Sequence, residues 1–137
     1  KNKSQDVKKV VEYLKSKNIS QSEMFTKDYR PWGSFEILSE GSGFKVKRIS
    51  VKPGATLSLQ SHKHRSEHWV VVQGSAVITI DESVKAIGAG QSTYVPLGSI
   101  HRLENREKEL LTIIEVQIGD YLGEDDIIRY EDVYARN

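Results

Sequence analysis

Four polar residues with metal-binding side chains occur in a β-rich part of the sequence that is otherwise apolar: Gln60, His62, Glu67 and His101. Side chains two positions apart on a strand share one face, so Gln60 and His62 can converge on one point. Two imidazole nitrogens, a carboxylate and an amide oxygen form a mixed ligand set that suits a divalent ion such as Zn, Mn, Co or Fe. The spacing predicts a metal site with positions left for water or substrate.

A three-histidine cluster of His62, His64 and His68 is the alternative interpretation of the same segment. Six residues separate Glu67 from the turn glycine Gly74, whereas a ligand at His68 would need a strand one residue shorter and would point to the opposite face. The register therefore favours Glu67, and leaves His64 and His68 either as groups in the pocket or as surface residues.

The length and composition of the chain limit the class of protein to which these residues belong. The chain of 137 residues has the length of a single domain. It has no cysteine, and its net charge of +1 provides no general attraction to nucleic acid or to a membrane. No apolar run approaches the roughly 18 residues of a membrane span. We expect a cytoplasmic protein, and the absence of an initiator Met suggests a piece of a longer chain.

The N-terminal part has the pattern of a helix. Val7, Val10, Val11 and Leu14 recur at helical spacing and predict a linker helix over residues 6–17. Acidic residues before Ile127 and Ile128 predict another short helix within residues 123–134.

From Trp32 onward the pattern changes to short β segments separated by turn residues, which favours an all-β sandwich or barrel. Within residues 44–51 the apolar positions break phase by one residue, as at a β-bulge. The predicted strands are residues 34–38, 44–51, 56–60, 69–73, 76–80, 84–87, 92–95, 101–104 and 110–117.

Two glycine-containing motifs around the four polar residues resemble those of the cupins. Gly54, five residues, then Gln60-x-His62-x-x-x-x-Glu67, six residues and Gly74 resembles the first cupin motif with Gln in place of its first His. The second motif matches as Gly90, five residues, then Pro96-x-Gly98-x-x-His101-x-x-x-Asn105. The resemblance implies a double-stranded β-helix, a jelly-roll barrel, with the linker helix before it.

Longer segments resemble the type II phosphomannose isomerase domain, the C-terminal part of bifunctional mannose-1-phosphate guanylyltransferase/mannose-6-phosphate isomerases. The resemblance implies a linker over residues 1–28, a cupin domain over residues 29–137, and a nucleotidyltransferase domain N-terminal to this chain. Departures are Lys63, where His is common in the family, and Ala135, where Gly is usual. The matching segments are YRPWG (29–33), LSLQSHKHRSEHWVVV (57–72), YVPLGSIHRLEN (94–105), EVQIG (115–119) and YLGEDDIIR (121–129).

The family resemblance implies the interconversion of mannose 6-phosphate and fructose 6-phosphate through a cis-enediol. One divalent ion, Zn, Mn, Co or Mg, would stabilise the developing enediolate. The candidates for the proton-transfer base, by residue type, are His64, His68 and Glu115.

The phosphate of such a substrate needs cationic donors. Arg65, Arg102 and Arg129 lie in the matched segments, with Lys63 and Arg136 as second choices. Arg102 is favoured by its adjacency to His101, and Arg129 by the tail segment that resembles the family.

Two further hypotheses remain open for the whole domain. A catalytically silent cupin could dimerise or stabilise a guanylyltransferase partner, and cupin barrels often pair through edge strands, so we expect a homodimer. Another cupin enzyme, such as an iron oxygenase, is disfavoured because those sites usually have more His ligands than Gln60 allows.

Overall fold

The computed structural model describes residues 27–131, in which all regular structure is β-strand. The predicted linker helix and Arg136 lie outside this range. The strands are β1 Asp28–Arg30, β2 Gly33–Gly41, β3 Phe44–Val51, β4 Leu59–Ser61, β5 Arg65–Gln73, β6 Ser75–Ile80, β7 Ser83–Gly88, β8 Ser92–Val95, β9 His101–Glu104, β10 Leu111–Gly119 and β11 Ile128–Glu131.

The strands form two antiparallel sheets. One sheet has the order β1-β2-β3-β10-β5-β8 and the other β11-β4-β9-β6-β7. Buried apolar residues from both sheets make a single core, which includes Ile113 and Val71 from the first and Ile78 and Leu103 from the second. This arrangement confirms the expected all-β jelly-roll. No helix capable of spanning a membrane occurs within residues 27–131.

Three neighbouring strands of the larger sheet explain why one end of the barrel is apolar. β10 pairs with β3 on one side and with β5 on the other, and places Ile113 opposite both Ile49 and Val71. All three side chains are at most 5% exposed. This row of branched side chains fills the space between the sheets, where such residues pack well.

The same strands carry polar side chains at the other end of the barrel. Two residues further along, Glu115 lies opposite Lys47 and Trp69, and in the next row Gln117 lies opposite Glu67. These positions keep the inward-facing phase of their strands, so their polar groups are directed into the barrel and not into solvent. The strand registers therefore create a polar chamber next to the core.

The predicted phase break in residues 44–51 is wrong. Burial alternates without interruption along β3, with Lys45 and Lys47 inward. The bulge lies in the neighbouring strand β2, where the pairing shifts between Ile37 and Ser39 and leaves Leu38 as the extra residue. The apolar pattern misleads because the inward positions at this end of β3 are lysines.

The predicted helix in residues 123–134 is also wrong for the part that is described. A turn follows Gly123, and β11 then pairs with β4, so that Arg129 lies opposite Gln60. Other strand bounds differ from the expectation by a few residues. β5 begins at Arg65, earlier than predicted, whereas β4 begins only at Leu59, after an isolated bridge between Thr56 and Glu104.

The Ile113 row predicts a large dependence of stability on packing. Ile113→Ala removes a fully buried side chain and leaves a cavity, so it should lower the free energy of unfolding by about 3 kcal/mol. Ile118→Ala, on the same strand but 48% exposed, should cost less than about 1 kcal/mol. Urea unfolding of both variants tests this. Equal losses would contradict the assignment of the core.

Candidate active site

Three of the four predicted ligands meet inside the polar chamber. His62, Glu67 and His101 are each at most 3% exposed, and one nitrogen or oxygen atom from each lies within 4.8 Å of the others. The Nε2 atom of His62 is 3.4 Å from Glu67 Oε2, and that of His101 is 3.8 Å from Glu67 Oε1. The three side chains thus present ligand atoms to a common point.

Backbone carbonyl groups orient both imidazole rings. His62 Nδ1 lies 2.6 Å from the carbonyl oxygen of Asp126, and His101 Nδ1 lies 3.1 Å from that of Ser99. A carbonyl can only accept, so each Nδ1 carries the hydrogen and each Nε2 keeps its lone pair for the chamber. This is the outer-shell arrangement commonly found behind metal-binding histidines.

Burial keeps both rings neutral near pH 7. It lowers the pKa of His62 to about 4, with a further contribution from the neighbouring Arg65. Burial also lowers the pKa of His101. Neutral imidazole is the form that binds a metal. Two neutral nitrogens and one carboxylate are a donor set that fits a divalent ion of borderline character.

Gln60 borders the same chamber. It is the cross-strand partner of His101 and is half-buried, and its amide nitrogen lies 3.4 Å from the carbonyl oxygen of Ser58. The structure therefore brings all four predicted ligand residues to one cavity, with His62, Glu67 and His101 in the tighter group.

Glu115 is the base candidate that lies in the cavity. Its Oε2 accepts a hydrogen bond from Trp69 Nε1 at 3.1 Å, and its Oε1 accepts one from Gln117 Nε2 at 2.7 Å. The same indole nitrogen donates to Glu67 Oε1 at 3.0 Å, so Trp69 bridges the two carboxylates. Burial, and secondly the charge of Glu67, raise the pKa of Glu115 to about 7.

The other two base candidates lie elsewhere, which corrects the expectation for them. His64 is exposed and lies 3.6 Å from Asp120, and His68 is exposed on the outer face of β5, where its ring packs against Tyr94. His68 follows Glu67 directly on a strand and therefore points away from the chamber.

The predicted cationic residues divide in the same way. Arg65 and Arg129 line the cavity. Arg102 lies on the outer side of β9, where it bonds the Leu57 carbonyl and Glu131. Lys63 is exposed and does not line the cavity. The preference for Arg102 is therefore wrong, because a strand neighbour of His101 must face the opposite way.

Sequence reasoning missed three charged residues of the cavity: Arg30, Lys47 and Glu124. Lys47 is 4% exposed, lies 4.1 Å above the Phe35 ring and forms an ion pair with Glu124 at 2.8 Å. Counting inward positions back from Val51 would have found Lys47. Arg30 lies in the segment YRPWG, which resembles the family.

The segment between β10 and β11 attaches to the histidine-bearing loop through Asp126. The Asp126 carboxylate accepts hydrogen bonds from the backbone N–H groups of Lys63 and His64, both at 2.9 Å. Burial opposes its charge, but these two donors and the nearby histidines outweigh that effect and lower the pKa of Asp126. The side chain of Asp126 thus holds the loop, and its backbone carbonyl orients His62.

The fold and this chamber define a cupin. A solved cupin from Silicibacter pomeroyi, described as a sugar phosphate isomerase, is 26% identical with a TM-score of 0.57, over 62% of this chain and 58% of its own. Residues 17–132 match the family model described as "Mannose-6-phosphate isomerase C-terminal". The chain belongs to this family.

Curated relatives are longer proteins. The xanthan biosynthesis protein XanB of Xanthomonas campestris is 55% identical over 96% of this chain. The mannose-1-phosphate guanylyltransferase ManC of Salmonella typhimurium is 52% identical over the same share. The chain spans about 28% of the length of each of them.

The two hydrogen bonds to the Asp126 carboxylate predict a specific stability loss. Asp126→Ala should lower the free energy of unfolding at pH 7 by about 2 kcal/mol, because two backbone N–H groups lose a charged acceptor. The matched change Asp125→Ala, at an exposed carboxylate bonded to the Tyr121 hydroxyl, should cost about 0.5 kcal/mol or less.

Acid should reduce this difference. Since the pKa of Asp126 is lowered by folding, its contribution is present above the ordinary value of 3.8 and is lost as the pH falls through the lowered value. Urea unfolding at pH 7 and pH 3 measures the effect. Equal stability of the two variants at pH 7 would contradict it.

Proposed function

We propose that the domain is a divalent-metal-dependent isomerase that interconverts mannose 6-phosphate and fructose 6-phosphate. The observation that carries the proposal is the juxtaposition, in one cavity, of the His62, Glu67 and His101 group with Glu115, a carboxyl group whose pKa lies near neutrality. Membership of the mannose-6-phosphate isomerase C-terminal family supports this choice of substrates.

His62, Glu67 and His101 would hold the ion, with Gln60 as the fourth donor from the wall of the cavity. Such an ion would supply Lewis-acid catalysis by stabilising the negative charge that develops on the substrate oxygen. The two imidazoles are neutral and Glu67 supplies one negative charge, so these ligands do not cancel the charge of a divalent ion.

Glu115 would move the proton between C2 and C1. It is the base candidate that shares the cavity with the three ligands, and its hydrogen bonds from Trp69 and Gln117 fix the position of the carboxylate. A carboxyl group with a pKa near the working pH can accept a proton from one carbon and return it to the other.

The cationic residues of the cavity suit the phosphate group. Arg129 lines the cavity beside Gln60, and Arg30 and Lys47 lie in the same lining. With Arg65 they make four cations against the three carboxylates of Glu67, Glu115 and Glu124. A guanidinium can bind a phosphate through two parallel hydrogen bonds, so Arg129 is the stronger candidate, because both Nη groups of Arg30 already donate to the Asp28 carboxylate.

The relatives lead to a proposal for the whole protein. We propose that this domain follows a nucleotidyltransferase domain that forms GDP-mannose from mannose 1-phosphate and GTP, and that it is a homodimer. Exposed apolar side chains on β5 and the edge strand β8, among them Val70, Val72 and Tyr94, support a contact between copies on this face.

The direct test of the proposed function is turnover of fructose 6-phosphate to mannose 6-phosphate by this chain. We expect turnover that a chelator abolishes and that added Zn, Mn, Co or Mg restores. A folded sample that is inactive with every metal would contradict the proposal. It would favour a catalytically silent cupin that stabilises a guanylyltransferase partner.

The role of Glu115 gives a sharper prediction. Glu115→Gln keeps the shape of the side chain but removes the base, so turnover should fall by roughly 10²–10⁴-fold while metal binding persists. Glu36→Gln, which alters a carboxylate paired with Arg48 away from the cavity, is the control and should retain full activity. A Glu115→Gln variant within about threefold of the unaltered chain would rule out this base.

A further inference from the structure

The Arg65 guanidinium is buried between two of the proposed ligands. The residue is 7% exposed, its Nε donates to Glu67 Oε2 at 2.8 Å, and its Nη2 lies 3.3 Å from His62 Nε2. The arginine thus contacts, from inside the cavity, the atoms through which His62 and Glu67 would bind an ion.

These two contacts of Arg65 differ in whether they leave a lone pair that can bind an ion. With its Nδ1 hydrogen given to the Asp126 carbonyl, the neutral His62 ring has a single acceptor lone pair, at Nε2. A hydrogen bond from Arg65 and a bond to a metal cannot use that lone pair together. A carboxylate oxygen has more than one acceptor site, so the bond between Arg65 Nε and Glu67 can coexist with metal binding.

The remaining nitrogen of the guanidinium shows that this arrangement satisfies Arg65 incompletely. Arg65 Nη1 is buried and has no hydrogen-bond partner among residues 27–131. A buried N–H group without an acceptor is costly, and in native proteins such a group calls for an explanation. If the two Nη groups of Arg65 turned toward an anionic ligand in the cavity, that ligand would provide the missing acceptor.

We propose that Arg65 competes with the divalent ion for the Nε2 lone pair of His62. Ion binding displaces the Nη edge from His62, while Nε keeps its bond to Glu67, and the displaced edge becomes available to the anionic substrate. This inference rests on the proposed function, because it takes His62 and Glu67 as ligands of a divalent ion.

The test is the affinity of the 137-residue chain for Co²⁺, measured by competition with a chromophoric chelator. Arg65→Met keeps the length of the side chain but removes its charge and its donors, so Co²⁺ should bind at least about tenfold more tightly. An arginine that merely supports the ligands would give the opposite result, a loss of roughly 10–100-fold. Arg48→Met, at a surface arginine paired with Glu36, is the matched control and should bind as the unaltered chain does.

A second measurement needs no buried substitution. The Nε–H resonance of Arg65, assigned with an Arg65→Lys variant, should shift when the unaltered chain is titrated with Zn²⁺. The same proton should stay protected from exchange with solvent, because Nε keeps its hydrogen bond to Glu67. A resonance unchanged at saturating Zn²⁺ would overturn the inference even if Arg65→Met does not fold.

The outcomes separate the two proposals. If the unaltered chain binds the ion and Arg65→Met binds it no more tightly, the competition is refuted while the metal site stands. If neither protein binds any divalent ion, both the inference and the proposed function fail.

Discussion

A carboxylate buried inside a protein is stable only where charge and hydrogen bonds compensate its loss of water, and Glu67 imposes this condition on the barrel. It is 1% exposed, and it receives hydrogen bonds from Arg65 Nε and Trp69 Nε1. Both donors lie on β5, at every second position from Arg65, so the strand supplies the ion-pair partner and the indole together with the carboxylate. The neighbouring polar residues are arranged around this group.

The negative charge of Glu67 separates the roles of the two buried carboxyl groups. Glu115, bridged to Glu67 by the Trp69 indole, has a pKa of about 7 because burial and then the charge of Glu67 disfavour its ionised form. Carboxyl groups that lie in different environments often divide the tasks of a site. We propose accordingly that Glu67 binds the ion and Glu115 transfers the proton.

The local sequence pattern was sufficient to predict that the polar residues of the two motifs lie in one cavity. It failed where pairing between distant strands decides the structure. Glu67 could be separated from His68 because a strand has a period of two and Gly74 marks its end. The same period explains the error at Arg102, because adjacency to His101 in sequence places the two side chains on opposite faces of a strand. The tail acids resembled a helix start, but Arg129 instead pairs across to Gln60, a contact between residues far apart in the chain. Lys47 was missed because an inward lysine interrupts the apolar pattern by which strands are recognised.

Anomalous X-ray diffraction from crystals of the chain soaked in Zn²⁺ would test the proposed metal site. We expect one strong peak in the chamber, about 2.0–2.2 Å from His62 Nε2, His101 Nε2 and a carboxylate oxygen of Glu67. We also expect the Arg65 Nη groups to have moved away from His62 while Nε still contacts Glu67. A peak bound instead by the exposed His64 or His68, or a chamber without a peak at saturating Zn²⁺, would refute the metal site.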